Sequence, residues 1–365
     1  MKLRRTSRLA AVLAAGSLAL VACGGSDNPE SGTPGASGGL TGTLAGAGAS
    51  SQTSAVEAWT AGFQTANEGV TINYDPVGSG GGRDQFTAGG VDFAGSDRAM
   101  KAEELTAAAK RCAPGARVVD LPIYISPIAI AFNLEGIETL NLKPATIAQI
   151  FNQKITNWND AAIKADNPDA KLPDLAITPV NRSDDSGTTE NFTDYLAVTA
   201  KADWPYEADG EWPVKGGEAA NGTSGVVQAI TAGNGAIGYA DASQVNDLGK
   251  VAVGVGSEFV EYTAEAAAAV VEGSPREEGR MEGDIAIEVA RDTTSAEEYP
   301  VVLVSYALAC TEYTDAAKGE LVKAYLTYVA SEEGQAAAAE NAGSAPISDA
   351  LRTDVQASID AIGGA

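Results

Sequence analysis

The 365-residue chain has no histidine, three cysteines and few basic residues. Without histidine it cannot carry a Ser-His-Asp hydrolase triad, a histidine-ligated zinc ion or a histidine general base. Lysine and arginine together number 24 against 49 aspartates and glutamates, which gives a net charge of −25. Because a chain this acidic repels phosphodiester backbones, a nucleic-acid partner is not expected.

An apolar run that follows a basic cluster lies at the N-terminus. Residues 9–21 are apolar, too few for a stable membrane span, and Lys2, Arg4, Arg5 and Arg8 precede them. This pattern predicts a secretory signal peptide over residues 1–22. Leu20–Cys23 resembles a bacterial lipoprotein processing site, which implies a lipid on Cys23 that anchors the exported protein to the outer face of the cell membrane. Loss of the four basic residues takes the net charge from −25 to −29.

Two cysteines, Cys112 and Cys310, remain when Cys23 is set aside. In an exported protein an even number of cysteines predicts a disulfide, and two buried free thiols are the alternative. In the chain-entropy model, closing so long a loop stabilises the fold by roughly 5 kcal/mol.

The chain divides into a tether and a long α/β region. Residues 23–40 are rich in Gly, Ser and Pro and predict a flexible tether. Beyond residue 40, strands and helices are predicted to alternate, and a chain of 365 residues is long enough to predict two lobes. Two long apolar strands, Val118–Asn133 and Pro300–Ala309, are predicted to cross between lobe 1 (41–121 and 306–365) and lobe 2 (122–305). The acidic residues 265–300 are expected to form solvated loops and hairpins.

Four polar turns that contain glycine follow predicted strands: Gly46–Ser51, Gly78–Gly82, Gly95–Asp97 and Arg182–Thr188. Strand, glycine-containing turn and helix in repetition are typical of an open α/β sheet, where ligands collect at the carboxyl ends of the strands. Four such turns, with one arginine and one aspartate among them, predict a shared ligand site.

The turn that contains Arg182 precedes a helical pattern with Phe192, Tyr195 and Leu196 on one face. The first turn of a helix has N–H groups without internal partners and carries the positive end of the helix dipole. Together with nearby hydroxyls and a guanidinium, it predicts a site for a small tetrahedral oxyanion. An ordinary Ser/Thr helix cap after a surface turn is the alternative.

Four segments resemble the phosphate-binding proteins of phosphate-specific ABC transporters: residues 41–49, Val91–Asp97, Lys154–Trp158 and Arg182–Thr188. The resemblance runs from about residue 40 to the C-terminus. It implies the α/β type II periplasmic-binding-protein fold, with two lobes, two hinge strands and a ligand cleft between the lobes. It also implies a monomer that binds inorganic phosphate with high affinity, closes around it and delivers it to the permease subunits of an ABC transporter, with no cofactor, metal or enzymatic step.

The family's anion contacts, carried over residue by residue, fall on Ser50, Ser51, Ser79, Asp97, Arg182, Ser186, Gly187 and Thr188. The family commonly has phenylalanine where Ser51 stands and uses its main-chain N–H, so serine is expected to substitute with little loss. It commonly has Ser-Ser-Gly-Gly where residues 79–82 read Ser-Gly-Gly-Gly. Asp184 is expected to orient Arg182, and a solvent-facing turn aspartate is the alternative.

Asp97 would explain how such a site separates phosphate from sulfate. An ionised carboxylate only accepts hydrogen bonds, so it can take the O–H of phosphate, whereas a sulfate oxygen there would meet lone pairs. Leaving such a buried polar contact unmet costs about 1–3 kcal/mol, and more with charge.

Three other functions remain open at this point. The same fold could bind sulfate, molybdate or another oxyanion. A phosphatase with Ser186 or Ser50 as nucleophile lacks a histidine base, a Gly-x-Ser-x-Gly elbow and a convincing metal cluster. An adhesin or antigen that uses the fold incidentally would not need the full set of anion donors.

Overall fold

Strands and short helices alternate along the part of the chain that the computed structural model describes, residues 39–364. The predicted signal peptide, the lipid site at Cys23 and nearly all of the predicted tether lie outside the described residues. The strands are β1 Thr41–Gly48, β2 Gly69–Asp75, β3 Phe93–Ser96, β4 Val118–Phe132, β5 Thr139–Leu142, β6 Thr178–Arg182, β7 Glu218–Ala220, β8 Ala236–Asp241, β9 Gly249–Val255, β10 Glu258–Val260, β11 Val302–Cys310, β12 Glu312–Tyr313 and β13 Gly363–Gly364. The helices are α1 Thr53–Ala66, α2 Ser79–Thr87, α3 Ala102–Ala108, α4 Pro144–Phe151, α5 Ala161–Asp166, α6 Gly187–Thr199, α7 Gly222–Ala232, α8 Ala264–Glu272, α9 Ala316–Ala330, α10 Glu332–Ala342 and α11 Asp349–Asp360.

The sheet runs in the order β2-β1-β3-β11-β4-β8-β6-β7. β1 is parallel to β2 and β3, and β6 is parallel to β7 and β8, so each group presents the carboxyl ends of its strands along one edge. This mixture of parallel strands and connecting helices confirms the predicted α/β class.

β4 joins the two groups of parallel strands. It pairs antiparallel with β11 from Val118 to Pro127, and its remaining residues pair with β8 from Ile128 to Phe132. Every residue of β4 and β11 is buried. The two predicted long strands are therefore present and lie side by side, while the lobe boundaries remain a prediction.

The C-terminal helices pack against the first part of the chain. Trp59 of α1 donates from its indole N–H to the carbonyl of Gly334 in α10 at 2.8 Å, and Phe63 lies edge-to-face on Tyr325 of α9 with ring centroids 5.5 Å apart. The predicted disulfide between Cys112 and Cys310 is also present, with its Cα atoms 5.6 Å apart. All three contacts join the C-terminal part of the chain to residues 41–121.

The expectation of solvated loops and hairpins over residues 265–300 is wrong at the start of that range and incomplete beyond it. Residues 264–272 form α8, because Thr263 caps an alanine-rich stretch and accepts from the N–H of Ala266 at 3.0 Å. The irregular segment that follows is largely exposed, but it buries Ile285, whose N–H donates to the Asp120 carbonyl of β4 at 2.9 Å, and Arg291, which donates to the Val302 carbonyl of β11 at 2.6 Å. The acidic composition of residues 265–300 gave no indication of these buried contacts.

Helix α11 was not predicted, although its signals are local. Ser348 caps it by accepting from the N–H of Leu351, and Leu351, Val355 and Ile359 recur at helical spacing on its buried face. Among residues 39–364, no helix combines the length and apolar character that a membrane crossing requires.

Candidate functional site

The four polar turns lie where β1, β2, β3 and β6 lead into helices α1, α2, α3 and α6. All eight residues assigned to the anion are buried: Ser50, Ser51, Ser79, Asp97, Arg182, Ser186, Gly187 and Thr188. Hydrogen bonds between turns that are far apart in the sequence join three of these residues, Ser51, Ser79 and Thr188, to Asp97, whereas Ser50, Arg182 and Ser186 form hydrogen bonds with other groups.

Asp97 is the acceptor at the centre of the site and is only 2% exposed. Its Oδ1 accepts from the hydroxyls of Ser51 and Ser305, both at 2.6 Å. Its Oδ2 accepts from the hydroxyl of Thr188 at 3.0 Å. Burial raises the pKa of Asp97 above its ordinary value, although the three hydroxyls and the charge of Arg182 act to lower it.

The main chain of Asp97 is held as tightly as its side chain. Its N–H donates to the hydroxyl oxygen of Ser79 at 3.1 Å, and its carbonyl accepts from the side-chain amide of Asn191 at 2.7 Å. A Cβ placed on Gly187 would lie 2.6 Å from both the Asp97 Cβ and the Ser79 Oγ. Glycine is therefore required here by the close approach of α6 to the end of β3.

Arg182 is 3% exposed and is held by Asp184 through one edge of its guanidinium. Nε donates to Asp184 Oδ1 at 2.8 Å, and Nη2 donates to Oδ2. Burial alone would raise the pKa of Asp184, but the bonds and charge of Arg182 lower it overall. Asp184 thus orients the guanidinium, and it also accepts from the N–H of Gly222 at 3.1 Å.

Several hydroxyl oxygens of the site already accept main-chain hydrogen bonds. Ser79 Oγ accepts from Asp97 as described, Ser186 Oγ accepts from the N–H of Thr189 at 3.2 Å, and Ser50 Oγ accepts from the N–H of Thr223 at 3.1 Å. A hydroxyl that accepts in this way directs its own proton elsewhere. The hydroxyl protons of Ser79 and Ser186 are therefore not used in these main-chain hydrogen bonds and can be donated to another group.

Helix α6 begins at Gly187, so its first N–H groups and its positive dipole end lie beside Asp97. The neighbouring basic residue, Arg98, is committed to carboxylates. It pairs with Glu190 at 2.7 Å and with Glu104 at 2.6 Å. Burial would raise the pKa of Glu104, but the bonds and charge of Arg98 lower it to about 2.

Four contributors to the site were not predicted from the sequence: Ser305, Asn191, Gly222 and Thr223. The sequence signal for Ser305 is a serine within a strand, β11, whose other residues are mostly apolar. Gly222 and Thr223 begin α7, and a Gly-Thr pair at a helix start is the same kind of signal as Gly187-Thr188. Within residues 39–364, no cluster of three or more Cys, Asp or Glu could hold a metal ion.

Comparison with known proteins places the chain in a family. The PBP superfamily domain matches residues 33–333. Phosphate-binding protein PstS 3 of Mycobacterium tuberculosis is 34% identical over 384 residues, which cover 99% of this chain and 100% of the relative. A high-affinity periplasmic phosphate-binding protein (PfluDING), solved with phosphate, aligns with a TM-score of 0.69 and 23% identity over 87% of this chain and 93% of the other.

A phosphate ABC transporter substrate-binding protein from Clostridium perfringens, also solved with phosphate, aligns with a TM-score of 0.59 and 21% identity. The alignment covers 82% of this chain and 98% of that one. These structural matches show the same two-lobed, type II fold that the resemblance implied. By its full-length similarity to PstS 3 and its match to the superfamily domain, the chain belongs to the PstS phosphate-binding proteins of the PBP superfamily.

Proposed function

We propose that this protein binds inorganic phosphate outside the cytoplasm and delivers it to the permease of an ABC transporter. The observation that carries the proposal is the surrounding of Asp97, a buried acceptor among donors. The hydroxyls of Ser79 and Ser186, the first turn of α6 and the guanidinium of Arg182 can donate to an oxyanion, while Asp97 can only accept from it while ionised. Protonated phosphate satisfies both demands.

Selectivity against sulfate follows from the same arrangement. Sulfate has no proton to give to Asp97, so one of its oxygens would face the carboxylate lone pairs in a buried site. Arg182 supplies charge-assisted bonds from a guanidinium that Asp184 holds in place. Binding and release need no chemical step, so we propose a transport role rather than a phosphatase.

Lobe closure is the proposed route by which the anion is held. Asp97 and Ser79 belong to the predicted lobe 1, and Thr188 and Asn191 belong to the predicted lobe 2. Contacts such as Thr188 to Asp97, and the Gly80 N–H to the Asp185 carbonyl at 3.2 Å, join the two segments. An anion bridging Asp97 and Arg182 would favour this conformation over an open one.

We further propose that the protein acts as a monomer and is anchored by a lipid on Cys23, with the segment after it as a tether. The proposed lipid anchor rests on the sequence pattern Leu20–Cys23, and the proposed monomer rests on the resemblance to the phosphate-binding proteins.

The direct test is a pair of calorimetric titrations of the purified protein, dialysed free of phosphate, with phosphate and with sulfate. We expect tight binding of phosphate and no measurable heat from sulfate. Equal binding of the two anions would contradict the role of Asp97, and hydrolysis of a phosphate ester that Ser186→Ala abolishes would favour an enzyme instead.

A further inference from the structure

Two hydroxyls converge on one oxygen of Asp97, and the sequence predicted neither contact. Ser51 Oγ and Ser305 Oγ each lie 2.6 Å from Oδ1, while Oδ2 faces Thr188 at 3.0 Å. Ser51 enters from the β1–α1 turn, and Ser305 enters from β11, where it pairs with β4. The two oxygens of the carboxylate therefore have different surroundings.

The direction of the Ser305 bond follows from its second contact. Gln52 Nε2 donates to Ser305 Oγ. A hydroxyl has one proton, and an ionised carboxylate can only accept, so the proton of Ser305 must point to Asp97. The oxygen of Ser305 then needs a donor, which fixes the amide orientation of Gln52. The chain Gln52 to Ser305 to Asp97 has only one consistent direction.

We propose that Ser51 and Ser305 are specificity-positioning residues, whose hydroxyls occupy Oδ1 of Asp97 and thereby present Oδ2 as the acceptor for the hydroxyl of the bound anion. This proposal rests on the proposed phosphate binding and deepens it. Ser51 has two roles in this arrangement: its N–H is available to the anion, and its side chain holds the acceptor. The phenylalanine that commonly stands at this position has no hydroxyl and cannot do the second.

The two hydroxyls also favour the ionised form of Asp97. Burial favours the neutral form of the carboxyl, and hydrogen bonds donated to the charged form oppose that effect. A protonated Asp97 would donate its O–H to a sulfate oxygen and so admit sulfate, whereas hydroxyls that favour the ionised form extend discrimination toward lower pH. Other groups act electrostatically with Asp97 and are left unchanged by the test: Arg182 of β6, Tyr74 of β2 and Asp241 of β8.

The test compares Ser51→Ala, Ser305→Ala and the double variant with wild type, by calorimetric titration of phosphate and sulfate from about pH 5 to about pH 8. Ser51→Thr and Ser305→Thr keep the hydroxyl and serve as rescue variants. Ser358→Ala removes a buried serine of α11 that donates to the Asp354 carbonyl at 3.1 Å, and is the matched control. Because phosphate itself titrates in this range, each variant is compared with wild type at the same pH.

We expect the alanine variants to bind phosphate about tenfold more weakly, by the scale of hydrogen bonds to charged groups. In the alanine variants, the pH below which sulfate binding is detected should be higher than in wild type. The threonine variants should return this pH to the wild-type value. The proposal would be overturned if both alanine variants began to bind sulfate at the same pH as wild type. It would also be overturned if the threonine variants behaved like the alanine variants. Wild type that fails to bind phosphate would instead overturn the proposed function.

Discussion

Thr188 of α6 donates its hydroxyl proton to Oδ2 of Asp97 at 3.0 Å, across 91 residues of sequence. The first turn of α6 therefore rests on the end of β3, and Asn191 adds a second bond from α6 to the Asp97 carbonyl at 2.7 Å. The acceptor of the site and the helix that supplies many of its donors form one connected unit. Changes at Asp97 should consequently affect selectivity and closure together.

Asp97→Asn should weaken phosphate binding and admit sulfate. The amide has a donor where the carboxylate only accepts, so a sulfate oxygen is no longer repelled. An unmet buried polar contact between sulfate and Asp97 costs about 1–3 kcal/mol, and the asparagine variant removes this cost. We therefore expect a loss of selectivity of roughly tenfold to a few hundredfold. Competition titrations with both anions measure it, with the exposed Asp354→Asn as control. Selectivity equal to wild type would count against the role given to Asp97.

Arg182→Ala should weaken phosphate binding by about 2 kcal/mol or more, because charge-assisted hydrogen bonds to the anion are lost. Calorimetric affinity provides the measurement, and Arg352→Ala, in a surface ion pair with Asp349 and Glu332, provides the control. If the loss is only a few tenths of a kcal/mol, Arg182 does not contact the anion.

Replacement of both Cys112 and Cys310 by serine should lower the free energy of unfolding by about 2–5 kcal/mol. The bond closes a loop across 198 residues and ties the segment after α3 to the end of β11. Urea unfolding with and without reductant measures the effect, since reductant should destabilise wild type and leave the double variant unchanged. Equal unfolding midpoints for the two proteins would contradict a stabilising disulfide.

Asp241→Asn should change how stability depends on pH. Asp241 is fully buried, accepts from the Tyr124 hydroxyl at 3.1 Å, and burial raises its pKa to about 7. Because the folded state binds this proton more tightly than the unfolded state, the contribution of Asp241 to stability falls as pH rises toward 7, by at most about 4 kcal/mol in total.

The asparagine variant has no such proton, so the free energy of unfolding of the variant relative to wild type should increase between about pH 4 and about pH 7. Urea unfolding at several pH values measures this difference. The exposed Asp349→Asn is the control for charge removal at the surface. A difference that stays constant across this range would show that Asp241 remains ionised throughout.

Cys23→Ala should release the protein from the membrane fraction, because the proposed lipid would have no attachment point. Cell fractionation followed by immunoblotting measures the distribution, and Ser26→Ala is the control. Continued membrane attachment of the Cys23 variant would refute lipidation at that residue.

Local patterns and the family resemblance predicted most of the candidate residues. Ser186, Gly187 and Thr188 were found because a cap, a glycine and a hydroxyl at a helix start are neighbours in sequence, and Arg182 lies two residues from its partner Asp184. The predicted role of Ser51 is incomplete, because the hydrogen bond from its hydroxyl to Asp97 joins residues 46 positions apart in the sequence. Ser305 was missed altogether, because its bond to Asp97 spans 208 residues and arises only from the position of β11 beside β3.

The amino-acid sequence by itself determined the α/β alternation, the polar turns after the strands, the cysteine pair and the chemistry that the lack of histidine excludes. Each of these depends on residue type and on spacing over a few positions. Only the tertiary structure decided that Ser51, Ser305 and Thr188 share one carboxylate, and that Ile285 and Arg291 of the largely exposed segment before β11 are buried. Those outcomes depend on the order and register of strands that are distant in sequence, which no local pattern encodes.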